Sequence, residues 1–162
     1  MSAELRKYTR QGFYQAAKRR IAEARLMMEP KAWLAHTGQD PSKRLWHCDG
    51  AVTCALLATE CALKATLLHG KSVNSVADLP KKMIDELFRT SQGHSVKRLW
   101  DRQEDRIQAM DATGSVSSAI ASLGRLDRYL HRYGAQKPTH HVAEPFVKLG
   151  ADVVQWMHDV LK

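Results

Sequence analysis

Apolar and polar positions along this chain fall into helical rather than alternating order. From residue 49 to residue 70 the run is small and apolar almost without a break. Val52, Leu56, Thr59 and Leu63 line one side at helical spacing, with Ala55, Ala58, Ala62 and Ala65 beside them. The spacing predicts a buried helix over 49–70, capped by Asp49 and ended at Gly70, whose alanine surface lets neighbouring helices approach closely. Glu60 and Lys64 interrupt it at i and i+4 with the acid first, the order that suits an ion pair on a helix. The pair reads as a structural one at a helix crossing rather than as a catalytic dyad.

The flanking segments follow the same period. Residues 3–28 carry Leu5, Tyr8, Phe13, Ala17, Ile21, Ala24 and Met28 at close intervals, which predicts an amphipathic first helix ending before Pro30. Residues 31–47, with Trp33, Gly38, Pro41 and Trp46, read as a connector whose tryptophans cover the end of the core. After the central helix, 71–79 reads as a loop and 78–88 as a short helix with Pro80 in its first turn. Residues 94–110 set Val96, Leu99, Trp100 and Ile107 among many charges, the pattern of a more exposed helix. Thr113 and Ser115 offer caps for a helix through Val116, Ile120, Leu123, Leu126, Tyr129 and Leu130 that stops near Gly134. A turn at 137–141 precedes a last helix lined by Phe146, Leu149, Val153, Trp156, Met157 and Val160. No alternating run and no Asn-Gly or Asp-Gly hairpin points to a strand. The expected fold is all-α: an antiparallel up-and-down bundle of about five helices, forming a single domain over residues 1–162.

Charge narrows the choice of partner. Lys and Arg number 25 against 17 Asp and Glu, a net +8 that favours polyanions such as nucleic acid or nucleotides. On the first helix Arg6, Lys7, Arg10, Lys18, Arg19, Arg20 and Arg25 outnumber Glu4 and Glu23. That makes either an electrostatic docking surface or the ordinary outer face of a bundle helix. Arg98, Arg102 and Arg106 are interleaved with Asp101, Glu104 and Asp105 and read as a solvated, ion-paired face. Arg125, Arg128 and Arg132 form a basic stripe beside Tyr133. There the phenol ring could stack on a base while Arg132 grips phosphate, the alternative being a solvated face with an ordinary core tyrosine. No segment approaches the roughly 20 consecutive apolar residues that span a bilayer, and the charged N-terminus lacks the apolar core of a signal peptide. A cytoplasmic protein without a membrane partner is expected. Cys48, Cys54 and Cys61 have the pattern of buried thiols; a zinc site with His47 matches no familiar ligand spacing, so no metal is expected.

Glu60-Cys61-Ala62-Leu63-Lys64-Ala65, with Leu67 and Leu68 following, resembles the "ExxLKALL" core helix of HEPN domains, small helical bundles of bacterial and archaeal proteins. Gly93-His94-Ser95-Val96 with Leu99 is similar to that family's "GHDLxxL" helix start. The run from Tyr129 to Gly134 is similar to its "YxxARYP" segment before the last helix. Ser95 stands where an Asp is usual and Gly134 where a Pro is usual, so roles resting on those two side chains do not carry over. The resemblance implies a HEPN-like bundle without a cofactor that acts as a homodimer. It implies either a non-catalytic module that engages nucleotide, RNA or a nucleotidyltransferase or antitoxin partner, or a metal-independent ribonuclease.

The ribonuclease branch is marked by an Arg and a His separated by four to six residues. Imidazole can move the ribose proton while guanidinium stabilises charge on phosphorus. Arg89 with His94 and Arg125 with His131 fit the bare spacing, about the number chance supplies among this many Arg and His residues. Arg125 and His131 lie on nearly opposite sides of one helix, since six steps of about 100° turn roughly 240°. Arg132 with His140 or His141 lies nearest the family's catalytic position but exceeds its spacing. The expectation is therefore a binding or accessory domain, with the ribonuclease, then a purely structural helical adaptor, as alternatives.

Overall fold

The computed structural model describes residues 5–29, 31, 34–35, 38, 44–88, 94–130 and 139–162, with the backbone alone at 44–47 and 126–130. Among the described residues seven α-helices follow in order: α1 (Arg10–Met28), α2 (Arg44–Gly70), α3 (Lys81–Phe88), α4 (Val96–Asp101), α5 (Asp105–Gln108), α6 (Ser115–Leu130) and α7 (His140–Val160). Single 3-10 turns occupy Leu5–Lys7 and Val76–Asp78. Among the described residues there is no strand, only one isolated bridge between Thr9 and Ser75. The helical class is as the periodicity implied, with three of the helices short.

The alanine-lined helix is the centre. α2 packs against α1, α7, α4 and α5, and α6 closes against α7 and α4. Ala51, Ala55, Ala58, Ala62 and Ala65 are fully buried along it, as are Leu63, Leu67 and Leu68. Leu56 is half-buried, packed against the small cluster of Cys48, Val52 and Ala143. Small side chains allow a close crossing: a Cβ at Gly150 of α7 would lie 3.1 Å from both the Cβ and the carbonyl oxygen of Ala55. Arg10 meets His69 and Gly50 faces Met27, so α1 runs antiparallel to α2. Tyr14 meets His158 and Met28 meets His140, so α1 is antiparallel to α7 as well. Neighbouring α2 and α7 are consequently parallel, an arrangement a simple up-and-down order of adjacent helices does not contain.

Several boundaries differ from expectation. α2 begins at Arg44, so Asp49 sits inside the helix and caps nothing, and Trp46 belongs to the helix rather than to a connector. Gly70 does end α2, but the left-handed residue there is Ser72, at φ 57°. Gly70 instead makes room for α5, since a Cβ on it would come within 3.0 Å of Glu104 Cγ and 3.2 Å of Ile107 Cγ1. The first helix is broken at Thr9, whose Oγ1 accepts from the Gly12 amide at 3.0 Å and caps α1. The segment before it is tied to the loop after α2 by Arg10 N–H to Asn74 O at 2.8 Å and Val76 N–H to Tyr8 O at 3.0 Å. The helix expected over 94–110 is two helices. Between them buried Gln103 turns inward and donates to the carbonyls of Leu63 at 2.9 Å and Leu99 at 3.0 Å.

The segment Cys48–Gly70 is, by length and composition, apolar enough to cross a membrane, contrary to the sequence expectation, with a mean hydropathy of 1.5. Inside the fold 78% of that window is buried, which is what the core helix of a bundle requires. All three cysteines lie on it, and none of them is in a disulfide. Burial, reinforced by Glu60, pushes the Cys61 thiol up to about 11, so it is not a nucleophile near neutral pH.

The chief cap of α6 is Asp111, not Thr113 or Ser115. Its carboxylate accepts from the amides of Val116 at 3.0 Å and Ser117 at 2.8 Å, while Gly114 takes the left-handed turn between them at φ 69°. Burial alone would raise the Asp111 carboxyl. Bonds from the Ser117 and Val116 amides and from the Ser117 and Ser115 hydroxyls outweigh it and hold the group below its ordinary value. A carboxyl depressed by folding stabilises above its unfolded pKa, and that contribution is lost as pH falls through the lower folded value. Asp111→Ala is expected to cost about 1 kcal/mol at neutral pH. The difference from wild type should shrink only below about pH 4, near the unfolded carboxylate value, as read from urea midpoints across pH.

Candidate functional site

Two of the motif-like segments meet on the face of α2 that looks toward α3 and α4. Glu60 and Lys64 are one turn apart and both buried, with Lys64 Nζ 2.5 Å from Glu60 Oε1. The ammonium lies 5.8 Å from the ring centroid of Phe13 and 5.3 Å from that of Phe88, two aromatic faces that replace part of its lost water. His94, just before α4, sets Nδ1 3.1 Å from each oxygen of Glu60 while 65% of its side chain stays exposed. A carboxylate only accepts, so His94 carries its proton on Nδ1. Ser95 caps α4 through its hydroxyl, which accepts from the Arg98 amide. Below the cluster Val96 and Leu99 are buried in the same core as Leu63 and Leu67.

The remaining candidates divide. His140 bonds through Nε2 to the Met28 carbonyl at 3.3 Å and faces Glu144 at 3.8 Å, which joins the start of α7 to the end of α1. Arg125 is exposed on α6 and donates to Ser122 Oγ at 3.3 Å; Arg128 follows on the same helix, one turn further on. Arg89, Arg132 and Tyr133 lie outside the described residues. The charged stretch around α4 is ion-paired as expected: Lys97 with Asp101 at 2.7 Å and Arg102 with Glu86 at 2.9 Å. On α1, Arg20 pairs with Glu23 at 2.8 Å and Lys18 lies over Tyr14 at 5.4 Å. Among the described residues no group of three or more His, Cys, Asp and Glu is placed to hold a metal ion.

A second polar group lies where α1 starts and α2 and α7 end, a convergence that reading the chain did not find. Arg10 Nη1 donates to His69 Nδ1 at 3.3 Å, and Tyr14 Oη lies 2.8 Å from His158 Nδ1. Burial first, then the Arg10 and Arg106 cations, hold the His69 pKa below its ordinary value. The local signal was Arg10 and Tyr14 one turn apart on the first helix; their partners are 59 and 144 residues away.

Comparison of the chain with protein-family models, with curated proteins and with solved structures gives no match. The fold and site thus define a mostly α-helical, strongly basic protein built on one buried helix that carries a paired Glu and Lys.

Proposed function

We propose that this chain is a cytoplasmic, HEPN-like binding module that engages RNA or a nucleotide without cutting it. It would work as a homodimer beside a nucleotidyltransferase or antitoxin partner. One observation carries the reading: two of the motif-like pieces, 34 residues apart in sequence, come together where His94 closes on Glu60, the acid that Lys64 pairs with. The net charge of +8 supports a polyanionic ligand. The engagement of His94 by Glu60 and of His140 by the Met28 carbonyl supports binding over catalysis, since both imidazoles have structural work.

The stretch of α6 that carries Arg125 and Arg128 is the proposed RNA contact, with Arg125 exposed on it. Single-stranded RNA incubated with the protein in chelator should be bound and recovered whole. Charge reversal at Arg125 and Arg128 together should weaken binding by about tenfold or more, since each lost phosphate contact removes a released counterion. Cleaved RNA that survives intact after His94→Ala or His140→Ala would replace this reading with the ribonuclease. Unaltered affinity in the doubly reversed variant would remove the α6 face.

A further inference from the structure

The group at the start of α1 opens into a cleft of about 320 Å³ lined by Arg10, Gln11, Tyr14, His69, His158 and Lys162, with Leu161 at its edge. Among the described residues that line it none is an Asp or Glu, and the Arg10 side chain bonds to His69 instead of to an acid. We propose that this cleft binds the phosphate group of a phosphate monoester of mononucleotide size. The organic part of that ligand would lie in the adjoining groove between α1 and α7.

The donors are set by chemistry. A guanidinium has no lone pair, so His69 Nδ1 must accept from Arg10, and the imidazole is neutral with its proton on Nε2. The lowered His69 pKa agrees with that assignment. Arg10 spends one of its N–H groups on His69 and keeps the others for a bidentate grip on phosphate oxygens. Tyr14 and His158 share one proton at 2.8 Å and supply another donor, and Lys162 supplies an ammonium at the rim. Asp159 takes part of that ammonium at 3.0 Å, and Glu104 is held by Lys71, so neither acid is left to face Arg10 alone. The ends of α2 and α7 each bring roughly half a negative charge and the start of α1 roughly half a positive one. That background leaves the full charge of Arg10, with Arg106 bonded nearby to the Gly70 carbonyl at 2.6 Å, to decide the sign.

Next to the cleft, and sharing His158 with it, runs a groove of about 480 Å³. Ile21, Ala151 and Val154 give it an apolar floor, Lys18 and Arg25 stand on the α1 side, and Asp152 on the α7 side. A polar pocket for phosphate beside an apolar trough for a flat organic group is the layout of small-molecule sites of this volume. The site is separate from the Arg125 face and does not depend on the HEPN-like reading.

Calorimetric titration of the whole chain with AMP, inorganic phosphate and adenosine tests it. AMP should bind most tightly, inorganic phosphate more weakly, and adenosine at least about tenfold more weakly than AMP. The ring signals of His69 and His158 should shift with AMP while those of His94 and His140 stay. Arg10→Met should weaken AMP by about tenfold or more, with partial recovery in Arg10→Lys. Should Arg10→Met fail to fold, Lys162→Gln and the rise in wild-type thermal midpoint with AMP serve in its place. AMP affinity should survive the Arg125 and Arg128 reversals, which separates failure of this site from failure of the RNA reading. Absence of AMP and phosphate binding, equal affinity for adenosine, or full affinity in the folded Arg10→Met and Lys162→Gln variants would overturn the proposal. In each case the cations serve only to neutralise helix ends.

Discussion

Lys64→Met is expected to lower the free energy of unfolding by about 3–5 kcal/mol. The side chains of Lys64 and Glu60 are only 8% and 12% exposed, so neither charge is solvated by bulk water, and each depends on the other. Without the ammonium, Glu60 keeps a buried carboxylate whose remaining partner is the largely exposed His94 imidazole. The cavity beside Phe13 and Phe88 is filled well enough by a methionine stem, so the loss measures charge rather than volume. Replacing both residues, Glu60→Met with Lys64→Met, should recover most of the loss, because an apolar pair leaves no charge uncompensated. Chemical denaturation of the two single variants and the double yields the coupling directly. A Lys64→Met cost under about 1 kcal/mol, the value of a solvated surface pair, would show that water reaches the cluster.

Gly150→Val should cost about 3 kcal/mol. The Cβ alone would stand 3.1 Å from the Ala55 carbonyl oxygen and 3.1 Å from the Ala55 Cβ. A Cβ by itself asks for a shift of a few tenths of an ångström. The two methyls that valine adds reach past it, and neither Ala55 atom is the tip of a flexible chain, so with valine the helices themselves must separate. Gly150→Ala is the control: its crowding is offset by the roughly 1 kcal/mol that alanine contributes over glycine inside a helix, and the variant should stay near wild type. Combining Gly150→Val with Ala55→Gly should restore part of the loss. Thermal midpoints of the set test the crossing, and an unperturbed Gly150→Val would place α7 further from α2 than the structure has it.

The core helix was legible because burial on all sides writes itself as an unbroken apolar run, and the Glu60 and Lys64 pair because i and i+4 contacts need no tertiary knowledge. Its true start at Arg44 was not, since Trp46 and His47 lie close behind Pro41 and Gly38, and those residues mimic a connector. The split of residues 94–110 was hidden for a related reason. Gln103 looks like one more surface polar group until its amide is found capping two buried carbonyls. Asp111 outcompeted the nearer hydroxyls of Thr113 and Ser115 because a carboxylate can accept from two amides at once. The approach of His94 to Glu60 and the meeting of Arg10 with His69 depend on how helices far apart in sequence cross, which no local pattern encodes.

The most direct measurement is the affinity of the wild-type protein for a labelled single-stranded RNA, followed by anisotropy from about 50 to 200 mM salt, with the RNA run on a gel afterwards. The expected result is binding that falls steeply with salt, the slope giving about 0.7 per neutralised phosphate, and RNA recovered at full length. Binding that is absent at the lowest salt, or RNA returned as fragments, would contradict it.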